Sequence, residues 1–125
     1  MINLKKFVNG FVFAFCGICL GTKGRNMKVH LSVAVLVVIL GLTVSLSLIE
    51  WFIVLLLCAL VISAELMNSA IEDLADVVRD HDQMNYQATK DARDLAAGGV
   101  LVLALTSAII GFLIFMPKLL NIFLG

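Results

Sequence analysis

The chain has 125 residues, 62% of them hydrophobic, with one proline and a mean hydropathy of +1.08. Soluble domains carry roughly 45–50% apolar residues, so the composition excludes an ordinary soluble domain and indicates a single-domain integral membrane protein. The formal net charge is zero, and no basic patch with interleaved aromatics points to nucleic acid.

Residues 3–20 mix Lys5, Lys6 and Asn9 with Phe7, Val8, Phe11, Val12, Phe13 and Phe15. The pattern predicts an amphipathic helix lying in the headgroup layer, lysines toward water and phenylalanines toward lipid. Gly10, Gly17 and Gly21 interrupt a run that is only marginally long enough to cross. A cleaved signal is not expected, because no long apolar core with a small-residue cleavage site precedes Gly21. Cys16 and Cys19 have C-x-x-C spacing without a second ligand pair, so they read, with Cys58, as small packing residues rather than a zinc or redox site. The polar turn at residues 21–26 does not match a phosphate-binding P-loop.

Three spans are predicted, at about residues 29–48, 51–72 and 95–115, each near the roughly 20 residues needed to cross hydrocarbon. Ser45, Ser47 and Glu50 mark a polar turn between the first two, and Trp51 takes an interfacial position. The second helix is expected to continue to about Arg79, followed by a polar loop over residues 80–86. The third helix starts near Ala88 and is expected to end at Pro117. Five lysines and arginines precede the first span, none lies between the first two spans, and Arg79, Lys90 and Arg93 lie between the last two. The amino terminus and the acidic loop are then cytoplasmic and the carboxyl terminus outside. His30, at the start of the first span, reads as an interfacial hydrogen-bonding residue.

Eight of the nine acidic residues lie between Glu65 and Asp94. Glu65, Asn68, Glu72 and Asp76, at i, i+3, i+7 and i+11, share one face of a helix. The stripe begins at membrane depth, where ionisable groups are costly and face a bundle interior, a cavity or a ligand. Carboxylates plus an amide, with lysine and arginine nearby, suit phosphoryl transfer. Hard oxygens hold Mg²⁺, cations neutralise phosphates, and one carboxylate takes a hydroxyl proton. Glu65, the deepest, suits the base; Glu72 and Asp76, nearer water, suit metal binding. The same residues are also compatible with ion coupling in a small transporter, although the first and third spans contain only Ser and Thr as polar residues. Small residues at Ala96, Ala97, Gly98, Gly99, Ala104, Ser107, Ala108 and Gly111 predict a face that packs closely on a neighbour, and a homo-oligomer follows.

Glu65-Leu66-Met67-Asn68-Ser69-Ala70-Ile71-Glu72, then Asp76, then Arg93-Asp94-Leu95-Ala96-Ala97-Gly98, resembles the signature of the prokaryotic diacylglycerol kinase family, which includes undecaprenol kinases. Arg25-Asn26-Met27-Lys28-Val29-His30 resembles the family's element before the first span, and the likeness extends to Pro117-Lys118. The resemblance implies an all-α, three-span lipid kinase with a surface helix, a homotrimer with active sites between subunits, using ATP and Mg²⁺ to phosphorylate a lipid alcohol. By position it makes Glu65 the catalytic base at the lipid hydroxyl and Glu72 a metal ligand. Asn68, Asp76, Arg93, Asp94 and Lys28 fall in the nucleotide region, and the loop with His81 and Tyr86 falls where the family covers adenine. The Arg25-Asn26-Met27-Lys28-Val29-His30 element and the Pro117-Lys118 ending resemble the undecaprenol kinase branch, so undecaprenol is the expected acceptor and diacylglycerol the alternative; a non-catalytic relative is a further one. Two positions depart from the pattern: Gly24 stands where some members carry a metal-binding Glu, and Arg93 replaces a lysine.

Overall fold

The structure, a computed structural model, describes residues 4–81 and 86–124. These residues form four helices: α1 (Leu4–Gly21), α2 (Arg25–Thr43), α3 (Leu48–His81) and α4 (Gln87–Leu124), with no strand among them. All four are long and apolar enough to cross a membrane by length and composition. At 1.5 Å per residue, the 34 residues of α3 reach about 51 Å. That exceeds the roughly 30 Å of a hydrocarbon core, so α3 lifts the outer half of the acidic stripe clear of the apolar layer. α3 packs most extensively on α4, less on α2, and only locally on α1.

The end of α2 differs from the expected end of the first apolar run. The helix stops at Thr43 because Ser45 adopts a left-handed conformation (φ 54°) and Leu46 N–H closes back onto the Gly41 carbonyl at 3.3 Å. This is a Schellman turn, built here on serine where glycine is usual. α3 then begins with a capping box. Ser47 Oγ accepts from the Glu50 N–H at 3.3 Å, and Glu50 Oε2 accepts from the Ser47 N–H at 2.7 Å. Ser-x-x-Glu ahead of an apolar run is the sequence sign of such a start.

Around this turn lies the buried core: Val44, Leu46, Val54 and Phe115, with Val37, Leu40, Trp51, Cys58, Ile114 and Leu119 against it. The expectation that Pro117 ends the third helix is corrected: α4 runs through it to Leu124. Membrane helices tolerate a proline where neighbours compensate for the lost hydrogen bond. Here Lys118 Nζ pairs with Glu50 Oε2 at 3.0 Å, and Leu119 packs on the core, so the residues after Pro117 stay docked on the α3 end.

α1 leaves every side chain exposed. Its Phe7 and Phe11 rings meet edge to face with centroids 5.2 Å apart, and it approaches α3 where Gly21 sits under Leu66. Along α4, a Cβ added at Gly98, Gly99 or Gly111 would meet nothing within 4 Å, so these three glycines are open, while Ala104, Ser107 and Ala108 face a groove between α2, α3 and α4.

Gly41 is required by close approach. A Cβ there would lie 2.8 Å from the Trp51 ring and 2.9 Å from Leu46 Cδ1. Gly41→Ala is expected to destabilise the α2–α3 corner by about 1–3 kcal/mol and to lower the melting temperature in detergent. An unchanged melting temperature would show that this corner is not closed in solution.

Candidate active site

The periodicity of α3 puts Glu65 and Asn68 into its buried face, each 3% exposed, while Glu72 and Asp76 emerge half-buried. Ala64 and Ala70 flank the stripe and no helix breaker interrupts it, so the helix carries its polar face straight out of its apolar run. Asn68 Nδ2 donates to Glu72 Oε1 at 3.0 Å, which fixes the amide. Asn68 Oδ1 is then left buried without a partner.

Glu65 faces His30 of α2, with Oε2 4.0 Å from Nε2. The pairing was not legible in the sequence, because the two residues lie on different helices and nothing local to either reports the other. His30 is thus more than the interfacial residue expected of it.

Further out, α4 joins the stripe through Arg93, whose side chain is 11% exposed. Arg93 Nη2 donates to Asp76 Oδ1 at 2.6 Å and Arg93 Nε to Thr89 Oγ1 at 3.3 Å. The guanidinium carbon lies 5.2 Å from the centroid of the Tyr86 ring, within cation–π range. The same Asp76 oxygen pairs with Arg79 Nη1 at 3.0 Å, and Arg79 Nε donates to Asp80 Oδ1 at 3.0 Å. Arg79 was read from sequence as the end of a helix and as one of the cations that set the topology, not as a partner of Asp76; its i+3 spacing from Asp76 was the available signal.

The structure does not bring the Arg93-Asp94 pair to the stripe as a unit. Asp94 turns to Lys90 Nζ, 2.6 Å away on its own helix. Lys28 is exposed on the first turn of α2, without an ion-pair partner among the described residues. Part of the expected polar loop, residues 82–85, lies outside the described residues; His81 ends α3 and Tyr86 precedes α4.

Glu72 and Asp73 open onto a cleft of about 680 Å³ between α3 and the α1–α2 turn, which Lys23 and Gly24 also line. Gly24 is the N-cap of α2 without a side-chain cap bond. A Cβ there would meet Gly21 O at 3.5 Å, an ordinary contact, so position 24 has room for a side chain and supplies none. Among the described residues no group of three or more His, Cys, Asp or Glu converges on one point. Mg²⁺ needs less: one or two protein carboxylates, with waters and substrate phosphates completing the shell. The Glu72 carboxylate and the unpartnered Asn68 Oδ1 are hard oxygens one helical turn apart, and they fit that demand.

Comparison with known proteins places this geometry. The model of the prokaryotic diacylglycerol kinase family matches residues 12–115. The chain belongs to that family. It is 44% identical over 118 residues to the undecaprenol kinase of Bacillus subtilis, covering 94% of each chain. It is 30% identical over 113 residues to a diacylglycerol kinase of Synechocystis, covering 90% of this chain and 63% of that one. No solved structure matches it. The matched residues include the whole stripe that α3 presents at the end of its apolar run.

Asp76 lies beyond the predicted 51–72 span. The hydrogen bond from Arg93, then the charges of Arg93 and Arg79, hold its carboxyl below the usual aspartate range despite some desolvation. With the folded value depressed, the α3–α4 tie contributes fully above the unfolded aspartate value of about 3.9 and is lost as pH falls through the folded one. A carbon NMR titration of Asp76 in detergent should give a midpoint below about 3.9, rising in Arg93→Ala. An ordinary midpoint in the unaltered protein would mean that the tie is not populated.

Proposed function

We propose that the protein transfers the γ-phosphate of Mg-ATP to the hydroxyl of undecaprenol as an integral-membrane kinase. One observation carries the reading: Glu65, 3% exposed, sits where the apolar part of α3 meets its polar stripe. A lipid hydroxyl and a water-borne nucleotide can meet only at such a boundary. The family membership and the 44% identity to an undecaprenol kinase support the activity and the acceptor. The relative named a diacylglycerol kinase is less similar, and diacylglycerol is the second acceptor to test.

In this reading Glu65 is the general base. The acceptor oxygen attacks the γ-phosphorus as the bond to the β,γ-bridging oxygen breaks. ADP carries away that electron pair, and the hydroxyl proton passes to a Glu65 carboxylate oxygen. Arg93 binds phosphate oxygens, with Lys28 and Asp94 at the edge of the nucleotide site, and Asp76 holds the Arg93 fork in place. Glu72 and the Asn68 carbonyl would hold Mg²⁺, which neutralises phosphate charge when bound.

The chain works as a single domain with three spans, α1 lying in the headgroup layer of the bacterial inner membrane. The amino terminus and the stripe face the cytoplasm, as the lysine and arginine distribution supports. It works as a homotrimer with sites between subunits. The open glycine face of α4 supports close approach of a neighbouring helix, and a second copy would wall the cleft at Glu72 that three thin helices leave open.

The test is transfer of labelled phosphate from ATP and Mg²⁺ to undecaprenol and to diacylglycerol in mixed micelles. The unaltered protein is expected to label undecaprenol, and Glu65→Gln to lower turnover by about 10²–10⁴-fold, the range of a lost general base. Preferential labelling of diacylglycerol would overturn the acceptor, and an active Glu65→Gln would overturn the base.

A further inference from the structure

Arg79 lies outside both stretches that carry the family likeness, residues 65–72 and the Arg93-Asp94 element, yet it meets the site at its rim. It sits on α3 three residues beyond Asp76, so the two side chains are neighbours on the helix surface. Arg79 Nη1 lies 3.0 Å from Asp76 Oδ1, the oxygen that Arg93 Nη2 also reaches from α4, at 2.6 Å. One carboxylate oxygen thus takes two guanidiniums, one from each helix. The two are held differently. Arg79 is anchored within α3, its Nε donating to Asp80 Oδ1 at 3.0 Å, so its hold on Asp76 needs nothing from α4. Arg93 bonds Thr89 through Nε and lies over the Tyr86 ring, contacts that can persist while Nη2 leaves Asp76.

We propose that Arg79 is a positioning residue for phosphate binding: it keeps Asp76 compensated while the Arg93 fork passes from that carboxylate to a phosphate of the nucleotide. The inference rests on the kinase reading above, in which Arg93 binds phosphate. Charge decides it. At rest two guanidiniums face two carboxylates, Asp76 and Asp80. When Arg93 turns to a phosphate, Arg79 still stands between them, and Asp80, the more exposed of the two, is readily served by water. Without Arg79, both carboxylates would face a polyphosphate with no cation between them, and like charges a few ångströms apart repel. Asp76 would also have Arg93 as its one cation among the described residues and would release it less readily. Lys90 does not substitute, because its Nζ pairs with Asp94 at 2.6 Å.

The test is a double-mutant cycle at positions 76 and 79. KM for ATP and kcat would be measured with Mg²⁺ and undecaprenol for the unaltered protein, Arg79→Ala, Arg79→Lys, Asp76→Asn and the double variant Asp76→Asn with Arg79→Ala. Assembly would be followed by gel filtration in detergent. On the same proteins, equilibrium dialysis would give the Kd of the non-hydrolysable β,γ-imido analogue of ATP. Arg79→Ala is expected to raise both KM and Kd about fivefold, inside the range for side chains that share one network. Its kcat should hold, because saturating nucleotide has already drawn Arg93 across. Arg79→Lys keeps a cation beside Asp76 and is expected to recover most of the loss. In the Asp76→Asn background no carboxylate remains to release Arg93, so removing Arg79 should change KM and Kd by less than about twofold. A general loss of structure would not cancel in that way. An equal penalty in both backgrounds would make Arg79 a phosphate ligand in its own right and overturn the positioning role. An unchanged KM in Arg79→Ala, or a loss confined to kcat, would overturn it too. If the unaltered protein binds the analogue but labels neither lipid, the kinase reading falls and the dialysis cycle alone decides how Arg79 acts. Absence of analogue binding would overturn both.

Discussion

The structure turns on one constraint: a carboxylate is buried where an apolar helix leaves the hydrocarbon, and burying a charge there is costly without a partner. Glu65 has an imidazole 4.0 Å away, not a guanidinium in contact. Asn68, one turn on, spends its amide N–H on Glu72 and leaves its carbonyl unpaired. A core polar cluster that served stability alone would be saturated, because half-satisfied buried groups destabilise. This one keeps unspent capacity at the point where α3 meets the polar layer. That capacity is what a metal, a phosphate or a hydroxyl could take up.

The two ends of the molecule are built differently. At the end away from the stripe α2 stops in a Schellman turn, α3 starts in a capping box, and the Glu50–Lys118 pair clamps α4 across Pro117 beside the apolar core. At the stripe end polar ties between helices, Arg93 to Asp76 and His30 beside Glu65, lie among the buried side chains of Met27, Ala75 and Val100.

The helical architecture and the stripe were legible because both are local. Long apolar runs give helices, and a 3.6-residue period puts Glu65, Asn68, Glu72 and Asp76 on one face of α3. The start of α4 at Gln87 and the continuation of α3 to His81 lie within two residues of what composition predicts. Helix ends set by backbone geometry were less legible. Ser45 was legible as part of a polar turn, but not the left-handed conformation, rare for serine, that stops α2 before the expected end of the span. Pro117 announced an end that tertiary contacts at Lys118 and Leu119 override. Contacts between helices were least legible: His30 lies against Glu65 for reasons of packing that no single window contains.

The substitution at position 93 shows what the sequence pattern alone left out. A lysine would offer a compact point charge on a flexible stem, whereas arginine presents a planar fork that can hydrogen-bond and stack together. Arg93 uses both properties, bonding Asp76 and Thr89 while lying over the Tyr86 ring. The cation is thus held in place before any ligand arrives, and less side-chain entropy is lost when one binds. In the proposed function the same tie has an opposing effect, since a phosphate would have to compete with the Asp76 oxygen for the fork. Arg79 eases that competition, because it already pairs with the same oxygen and can keep Asp76 compensated when Arg93 turns to a ligand. In this chain the exchange of an ammonium for a guanidinium is matched by a second guanidinium one turn beyond Asp76, and the charge at the mouth of the site stays balanced in either arrangement.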